Sequence, residues 1–211
     1  MGSIDNGRHD DQRACIPQAR RRTTLRRFAH AIGFDDAPFD RAHRGDVLVV
    51  GAVYAGARLD GVLSGTVRRD GTNATRVLSE LVGRSRFREH LQVVMLQGIA
   101  LAGFNVVDIH RLHVAIGLPV VVVSRRRPDL DAIRRALLDH VEGGARKWKL
   151  IERAGPMEAV GGVYVQRAGL STAEAQALLK RYAIHSTVPE PLRTAHLIAG
   201  GIGLGESRQR V

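Results

Sequence analysis

The chain of 211 residues is strongly basic, with 32 Lys and Arg against 21 Asp and Glu and a formal net charge of +11. This charge favours a polyanionic partner, with nucleic acid ahead of acidic membrane surfaces. An arginine-rich proteome would produce the same charge, since only three of the basic residues are lysine.

The single cysteine, Cys15, excludes an intramolecular disulfide and a cysteine-rich zinc site. No apolar run reaches the roughly 18 residues of a membrane span, and no signal-peptide core is present. We therefore expect a cytoplasmic protein with no membrane partner.

The domain organisation predicted from the sequence is simple. Residues 1–24 have no hydrophobic periodicity, which predicts a flexible, Arg-rich N-terminal tail. The remainder, 25–211, has no internal repeat and no shift of composition, and we expect it to form a single domain.

The pattern of apolar residues predicts an alternation of strands and helices along this domain. Short continuous apolar runs indicate buried strands, and apolar residues at helical spacing indicate amphipathic helices. The predicted strands lie at 28–34, 47–56, 57–69, 91–97, 118–124 and 160–168. The predicted helices lie at 72–85, 98–117, 129–141 and 171–183, and a last helix starts at Glu190. Three meandering strands followed by βαβ units predict an α/β fold of ribonuclease H-like type, a mixed sheet with flanking helices.

Two adjacent acids, Asp35 and Asp36, follow directly on the first predicted strand. Burying an unpaired charge is costly, so both carboxylates must face solvent, a cation or a metal. A hard divalent ion such as Mg²⁺ binds one or two carboxylates together with phosphate oxygens of a substrate. The acids therefore indicate a metal site for phosphodiester chemistry, with a simple turn as the alternative.

Two further acids have weaker signals. Asp70 lies in the turn before the first predicted helix, where Asp-Gly is an ordinary turn sequence. Asp108 lies inside the predicted helix 98–117, among apolar neighbours, and a place on the polar side of that helix explains it equally well.

Arginines are expected near the acids. Arg125, Arg126 and Arg127 follow the strand predicted at 118–124. Ligands of open α/β sheets bind at the carboxyl ends of the strands, so acids for a metal and arginines for phosphate would meet there. An ordinary salt-bridge network would have the same composition.

Several strings resemble the endonuclease dU family, which is related to endonuclease V. They are IGFDDAPF (32–39), LDGVL (59–63), DGTNAT (70–75), GIALAGFNVVDI (98–109), GLPVVVV (117–123) and PEPLRTAHLIAGGIGLGESR (189–208). The resemblance covers the chain from about residue 25 to its C-terminus. It implies a ribonuclease H-like fold and a metal-dependent endonuclease that acts on DNA with deaminated bases such as deoxyuridine.

The resemblance also implies roles for individual residues. Asp35 matches the first-strand aspartate of endonuclease V, Asp36 accompanies it in the dU family, and Asp70 lies where a carboxylate precedes the first helix. Gln97 departs from the pattern, because endonuclease V has a metal-binding aspartate at the end of this strand. Asp108 is the candidate replacement.

We therefore predict an endodeoxyribonuclease that uses Mg²⁺ or Mn²⁺. Asp35, Asp36 and Asp108 would hold the metal, with Asp70 as a fourth catalytic residue. Arg125 and Arg126 would position the DNA backbone. An extruded base would enter a pocket near Gly103, Phe104 and Asn105. Gln97 motivates a second hypothesis, a non-catalytic nucleic-acid-binding module of the same fold, and a role without nucleic acid is the third.

Overall fold

A computed structural model describes residues 28–207 of the chain, so the predicted tail, 1–24, lies outside the described residues. The strands are β1 (His30–Asp36), β2 (Asp46–Ala55), β3 (Arg58–Arg68), β4 (Val93–Gln97), β5 (Ala100–Leu101), β6 (Asn105–Val106), β7 (Val120–Ser124), β8 (Glu158–Val160) and β9 (Val163–Ala168). The helices are α1 (Ala74–Gly83), α2 (Ile109–Ile116), α3 (Leu130–His140), α4 (Gly144–Arg153), α5 (Thr172–Tyr182) and α6 (Glu190–Leu204).

Seven of the strands form one mixed sheet in the order β3-β2-β1-β4-β7-β9-β8, and β5 and β6 form a separate hairpin. The neighbours β1, β4 and β7 are parallel. Strand β2 is antiparallel to both β1 and β3, so β3 runs in the same direction as β1. Strands β9 and β8 extend the other side of the sheet in antiparallel fashion. The α/β fold with a mixed sheet and flanking helices is thereby confirmed.

Helices cover both faces of the central strands. Side chains alternate along β1, so that Ile32 and Phe34 pack into a core shared with α1 and α2, whereas Ala31 packs into a core shared with α5 and α6. The pair α3 and α4 packs with the β5–β6 hairpin in a smaller cluster around Leu137 and Ile151. This arrangement puts the hairpin between the sheet and the α3–α4 pair.

The helix predicted at 98–117 is wrong over its first half. Residues 100–106 form the β5–β6 hairpin instead, and α2 begins only at Ile109. Three residues in this segment, Gly98, Ala102 and Gly103, have positive φ angles of 78°, 50° and 83°, which are incompatible with a right-handed helix. Helix α4 and strand β8 have no counterpart among the predicted elements, and the first strand starts two residues later than the prediction of 28–34.

None of the helices within residues 28–207 is long and apolar enough to cross a membrane. The expected cytoplasmic location stays a prediction.

Candidate active site

The site is defined by the direction of four strands. Because β1, β3, β4 and β7 run the same way, their carboxyl ends meet at one edge of the sheet. This edge carries Asp35 and Asp36 on β1, Asp70 after β3, Gln97 on β4 and the arginines after β7. Two strand spacings, about 10 Å, separate β1 from β7. The acids and arginines therefore share an edge, as the sequence predicts.

Asp35 is 5% exposed and is hydrogen-bonded to α6. Its Oδ2 lies 2.7 Å from His196 Nδ1, and its Oδ1 accepts a hydrogen bond of 3.0 Å from the Asp36 N–H. Gly33 makes this approach of α6 possible, because a Cβ there would lie 2.5 Å from the Pro191 carbonyl carbon. A glycine in β1 thus lets α6 cross the strand closely enough for His196 to reach Asp35.

The acids at this edge carry perturbed pKa values. Burial raises the pKa of Asp35, although the hydrogen bond and charge of His196 oppose the shift. Burial and the neighbouring Asp35 charge raise the pKa of Asp36 from 3.8 to about 6. The hydrogen bond to Asp35 raises the pKa of His196 against the effect of its own burial. The edge therefore holds negative charge at a cost that a cation would relieve.

The tip of the β5–β6 hairpin joins Asp36 to Asp70. The Ala102 N–H donates to Asp36 Oδ2, and the Ala102 carbonyl accepts from the Asp70 N–H, both at 2.9 Å. The Phe104 N–H donates to Asp70 Oδ1 at 2.8 Å. A Cβ on Gly103 would overlap the Asp70 carboxylate, so glycine is required at this contact. The hairpin thus holds two of the predicted catalytic acids against its backbone.

Lys147 of α4 fixes the same turn from the opposite side. The residue as a whole is 3% exposed, and its ammonium group donates to the Asp70 backbone carbonyl. Burial lowers the pKa of Lys147, while the charges of Asp70 and Glu142 oppose the shift. Asp70 itself has a φ of 51°, which is uncommon for a residue with a side chain. Such a strained residue persists only where its surroundings over-determine it, and these contacts do so.

Asp108 has a structural task and does not join the other acids. It is the N-cap of α2, where Oδ1 accepts from the Arg111 N–H at 3.0 Å and Oδ2 pairs with Arg153. Within residues 28–207, no group of three or more His, Cys, Asp or Glu side chains is placed to hold one metal ion. The predicted trio of Asp35, Asp36 and Asp108 therefore does not assemble, because the Asp108 carboxylate is engaged by the N-terminus of α2 and by Arg153.

Gln97 is a further polar side chain at this edge, next to Asp35. The register aligns Phe34 with Leu96, so the next residues, Asp35 and Gln97, lie side by side on β1 and β4. The Gln97 Oε1 atom is buried and has no hydrogen-bond partner among the described residues. A buried acceptor without a donor is unfavourable, and an amide oxygen is a ligand that hard divalent cations accept.

A profile of the endonuclease dU family matches residues 27–203. The chain belongs to the endonuclease dU family. It is 64% identical over 186 residues to a UPF0215 protein of Deinococcus radiodurans, a match that covers 88% of this chain and 95% of that protein.

The fold of this endonuclease dU family member is similar to several solved structures, including those of endonuclease V. A protein of unknown function from Archaeoglobus fulgidus has a TM-score of 0.77 at 39% identity, over 82% of this chain and 97% of that one. Human endonuclease V has a TM-score of 0.54 at 17% identity, over 82% and 83%. Endonuclease V of Ciona intestinalis, in complex with DNA containing an inosine, has a TM-score of 0.51 at 12% identity, over 79% and 82%. The likeness to endonuclease V shows the fold alone, an α/β fold of ribonuclease H-like type.

An apolar cleft opens beside the acids in this family member. It encloses about 260 Å³ between the hairpin, β7, β9, α3 and α4. Its lining residues are mostly apolar, and they include Gly98, Ile99, Gly103, Phe104, Leu130 and Ile133. The structure thus has a cavity where the pocket near Gly103 and Phe104 is predicted, with a volume slightly below the roughly 300–1,000 Å³ of ligand pockets.

Asn105 does not line this cleft and has another task. It is fully buried, its Oδ1 accepts from the Ala74 N–H at 3.0 Å, and its Nδ2 donates to the Arg68 carbonyl at 2.8 Å and to Asn73 Oδ1 at 2.7 Å. These bonds tie the hairpin to the turn between β3 and α1, so a contact of Asn105 with an extruded base is ruled out. Arg125 and Arg126 are exposed at the edge, next to the cleft residue Ser124.

Three residues of the site escaped prediction from the sequence. They are His196, Lys147 and Gln166, the last of which lines the cleft from β9. The partners of His196 and Lys147 lie 161 and 77 residues away along the chain. No local pattern reports such a pairing, although Gly33 in the middle of an apolar strand is a sign of close backbone approach.

Proposed function

We propose that this endonuclease dU family member is an endodeoxyribonuclease that depends on Mg²⁺ or Mn²⁺ and cleaves DNA with deaminated bases such as deoxyuridine. One observation carries the proposal. A buried carboxylate, Asp35, and its partly buried neighbour Asp36 both have raised pKa values, and Asp35 lies next to the unpartnered amide oxygen of Gln97 at the carboxyl edge of the sheet. A site of this kind gains stability when a divalent cation binds.

The residues present fit such an ion. Asp35, Asp36 and Gln97 would hold it, and two carboxylates with one amide oxygen leave room for phosphate oxygens of the substrate. Lewis-acid stabilisation of the phosphate charge is the chemistry that the ion supplies when bound. The neutral Gln97 adds an oxygen but no charge, so both acids are needed.

The remaining residues orient the acids and the DNA. His196 holds the Asp35 carboxylate through Nδ1, as hydrogen-bonded partners commonly hold metal-binding groups. Its imidazole is 24% exposed, so it can exchange a proton with substrate at Nε2. Arg125 and Arg126 would bind phosphates on the flank of the site. Asp70 would be a fourth catalytic acid, held next to the β5–β6 hairpin by the Phe104 N–H.

The proposed substrate class rests on the cleft and on the family. A nuclease that inspects a base must extrude it from the helix into a pocket. The cleft begins at the hairpin that holds Asp36 and Asp70, so a base inside it keeps its phosphates near the acids. Endonuclease V of Ciona intestinalis, which shares the fold, was crystallised with inosine-containing DNA.

Gln97 favours a second candidate, a non-catalytic nucleic-acid-binding module. The two are separated by incubating the full chain with duplexes that contain uracil, hypoxanthine or no lesion, in Mg²⁺, Mn²⁺ or EDTA. The nuclease hypothesis predicts metal-dependent cleavage of the duplexes that contain uracil or hypoxanthine. Binding of all duplexes without cleavage in either metal would instead establish the module.

A further inference from the structure

The polar side chains of the cleft are few. Among the described residues that line it, only Gln166 and Ser124 have polar side chains, and the others are glycine, alanine, proline or larger apolar residues. Gln166 is 2% exposed, belongs to the middle of β9 and lines the cavity. A buried polar side chain in an apolar pocket is the usual means of fixing the orientation of a ligand.

The orientation of the Gln166 amide follows from its partners. Its Nε2 donates to the Gly155 carbonyl at 2.6 Å and lies 3.5 Å from the Ile151 carbonyl. Both partners are carbonyl oxygens and can only accept, so the nitrogen of the amide must face them. The amide oxygen is therefore directed away from α4 and from Gly155, and it remains available as an acceptor.

The second polar group has the same character. The Ser124 hydroxyl donates its only proton to the Arg126 carbonyl at 2.6 Å. Its oxygen retains lone pairs, so this side chain also presents an acceptor. The polar side chains of the cleft thus offer hydrogen-bond acceptors in an otherwise apolar cavity.

Deamination of cytosine or adenine turns one ring nitrogen from a hydrogen-bond acceptor into a donor, which is the group that an acceptor in the cleft would bind. Cytosine has an acceptor at N3, whereas uracil has an N3–H donor. Adenine has an acceptor at N1, whereas hypoxanthine has an N1–H donor. An acceptor in a dry pocket can pair with the deaminated ring, but the parent base would oppose lone pair to lone pair and leave both groups unsatisfied.

We propose that Gln166 is a specificity-determining residue whose Oε1 accepts a hydrogen bond from the ring N–H of a deaminated base extruded into the cleft. The proposal rests on the proposed function, since it presupposes a DNA substrate. Thymine carries the same ring N–H as uracil, and guanine the same as hypoxanthine. Gln166 therefore separates uracil from cytosine and hypoxanthine from adenine, and the discrimination against thymine and guanine is left to the shape of the cleft.

The test compares wild type with Gln166→Met, which has a similar length but no acceptor oxygen. Gln176→Met, on the exposed side of α5, is the matched control. Single-turnover cleavage is measured on one oligonucleotide that carries uracil, 3-methyluracil, cytosine or an abasic site. Binding to the same four DNAs is measured in EDTA, and thermal unfolding verifies that each variant is folded.

We expect Gln166→Met to cleave uracil DNA at least about tenfold more slowly, the effect of one lost buried hydrogen bond. Its cleavage of abasic DNA should stay at the wild-type level, because an abasic site has no ring to recognise. On 3-methyluracil, which lacks the N–H, wild type and Gln166→Met should be equally slow.

An equal loss on uracil and abasic DNA would overturn the proposal, because the residue would then have only a structural role. Unchanged uracil cleavage by Gln166→Met would overturn it as well. If wild type cleaves none of the DNAs but binds uracil DNA more tightly than cytosine DNA, and Gln166→Met loses this difference, the proposed nuclease activity is refuted and the proposed role of Gln166 in base recognition stands. If wild type neither cleaves nor prefers uracil DNA, both are refuted.

Discussion

Replacing Asp36 by Asn should stabilise the metal-free protein at neutral pH. The unfolded side chain ionises near 3.8 and the folded one near about 6, because burial and the Asp35 charge disfavour the carboxylate. Folding is therefore penalised wherever Asp36 is ionised in the unfolded chain. As pH rises from about 4 to about 6, this residue lowers the free energy of unfolding, and above about 6 the penalty is constant.

The size of the effect follows from the shift. A pKa displaced from 3.8 to about 6 corresponds to about 3 kcal/mol, and partial exposure of the side chain makes this an upper value. Asparagine keeps an oxygen that can accept from the Ala102 N–H, so the hydrogen bond of 2.9 Å survives the substitution. Asp36→Asn should thus match wild type at pH 4 and exceed it by about 1–3 kcal/mol at pH 8.

The assay is urea unfolding in EDTA at a series of pH values. Asp60→Asn is the control, since Asp60 is an acid at the opposite end of the sheet, paired with Arg58 on the surface. A variant less stable than wild type at pH 8, or a gain that is the same at pH 4 and pH 8, would refute the electrostatic account.

Three further predictions concern the rest of the site. Saturating Mg²⁺ should raise the melting temperature of wild type and leave that of Asp35→Asn unchanged. An equal rise in both proteins would show that Asp35 does not hold the metal. Gly33→Ala should lower the free energy of unfolding by about 1–3 kcal/mol, measured in urea, because its Cβ would collide with the Pro191 backbone. Arg126→Gln should reduce the slope of log K against log salt for duplex DNA by about 1, and an unchanged slope would show that Arg126 binds no phosphate.

The sheet was predictable because strands buried on two faces are continuous apolar runs. The runs at 91–97 and 118–124 became β4 and β7, and their order along the chain implied parallel pairing. The segment after β4 was not predictable from spacing alone. Its apolar residues fit a helix, but positive φ at Ala102 and Gly103 turns the chain into a hairpin, which tertiary contacts with Asp36 and Asp70 stabilise.

The candidate site was predictable in its acids and not in their partners. Asp35 and Asp36 follow a strand, and strand direction alone brings them to the ligand-binding edge. Asp108 was misassigned because its N-cap role depends on where α2 begins. Lys147 lies in α4, which contains several basic residues, and the sequence does not distinguish the buried lysine from the exposed ones. Its burial depends on the contact with the Asp70 turn.

The most direct test of the central claim is single-turnover cleavage of a uracil-containing duplex in Mn²⁺ by wild type, Asp35→Asn and Asp60→Asn. The account predicts cleavage by wild type and by Asp60→Asn, and a loss of at least about 100-fold for Asp35→Asn with DNA binding retained. Cleavage by Asp35→Asn at the wild-type rate would contradict it, because the nuclease centre would then lie away from the carboxyl edge of β1.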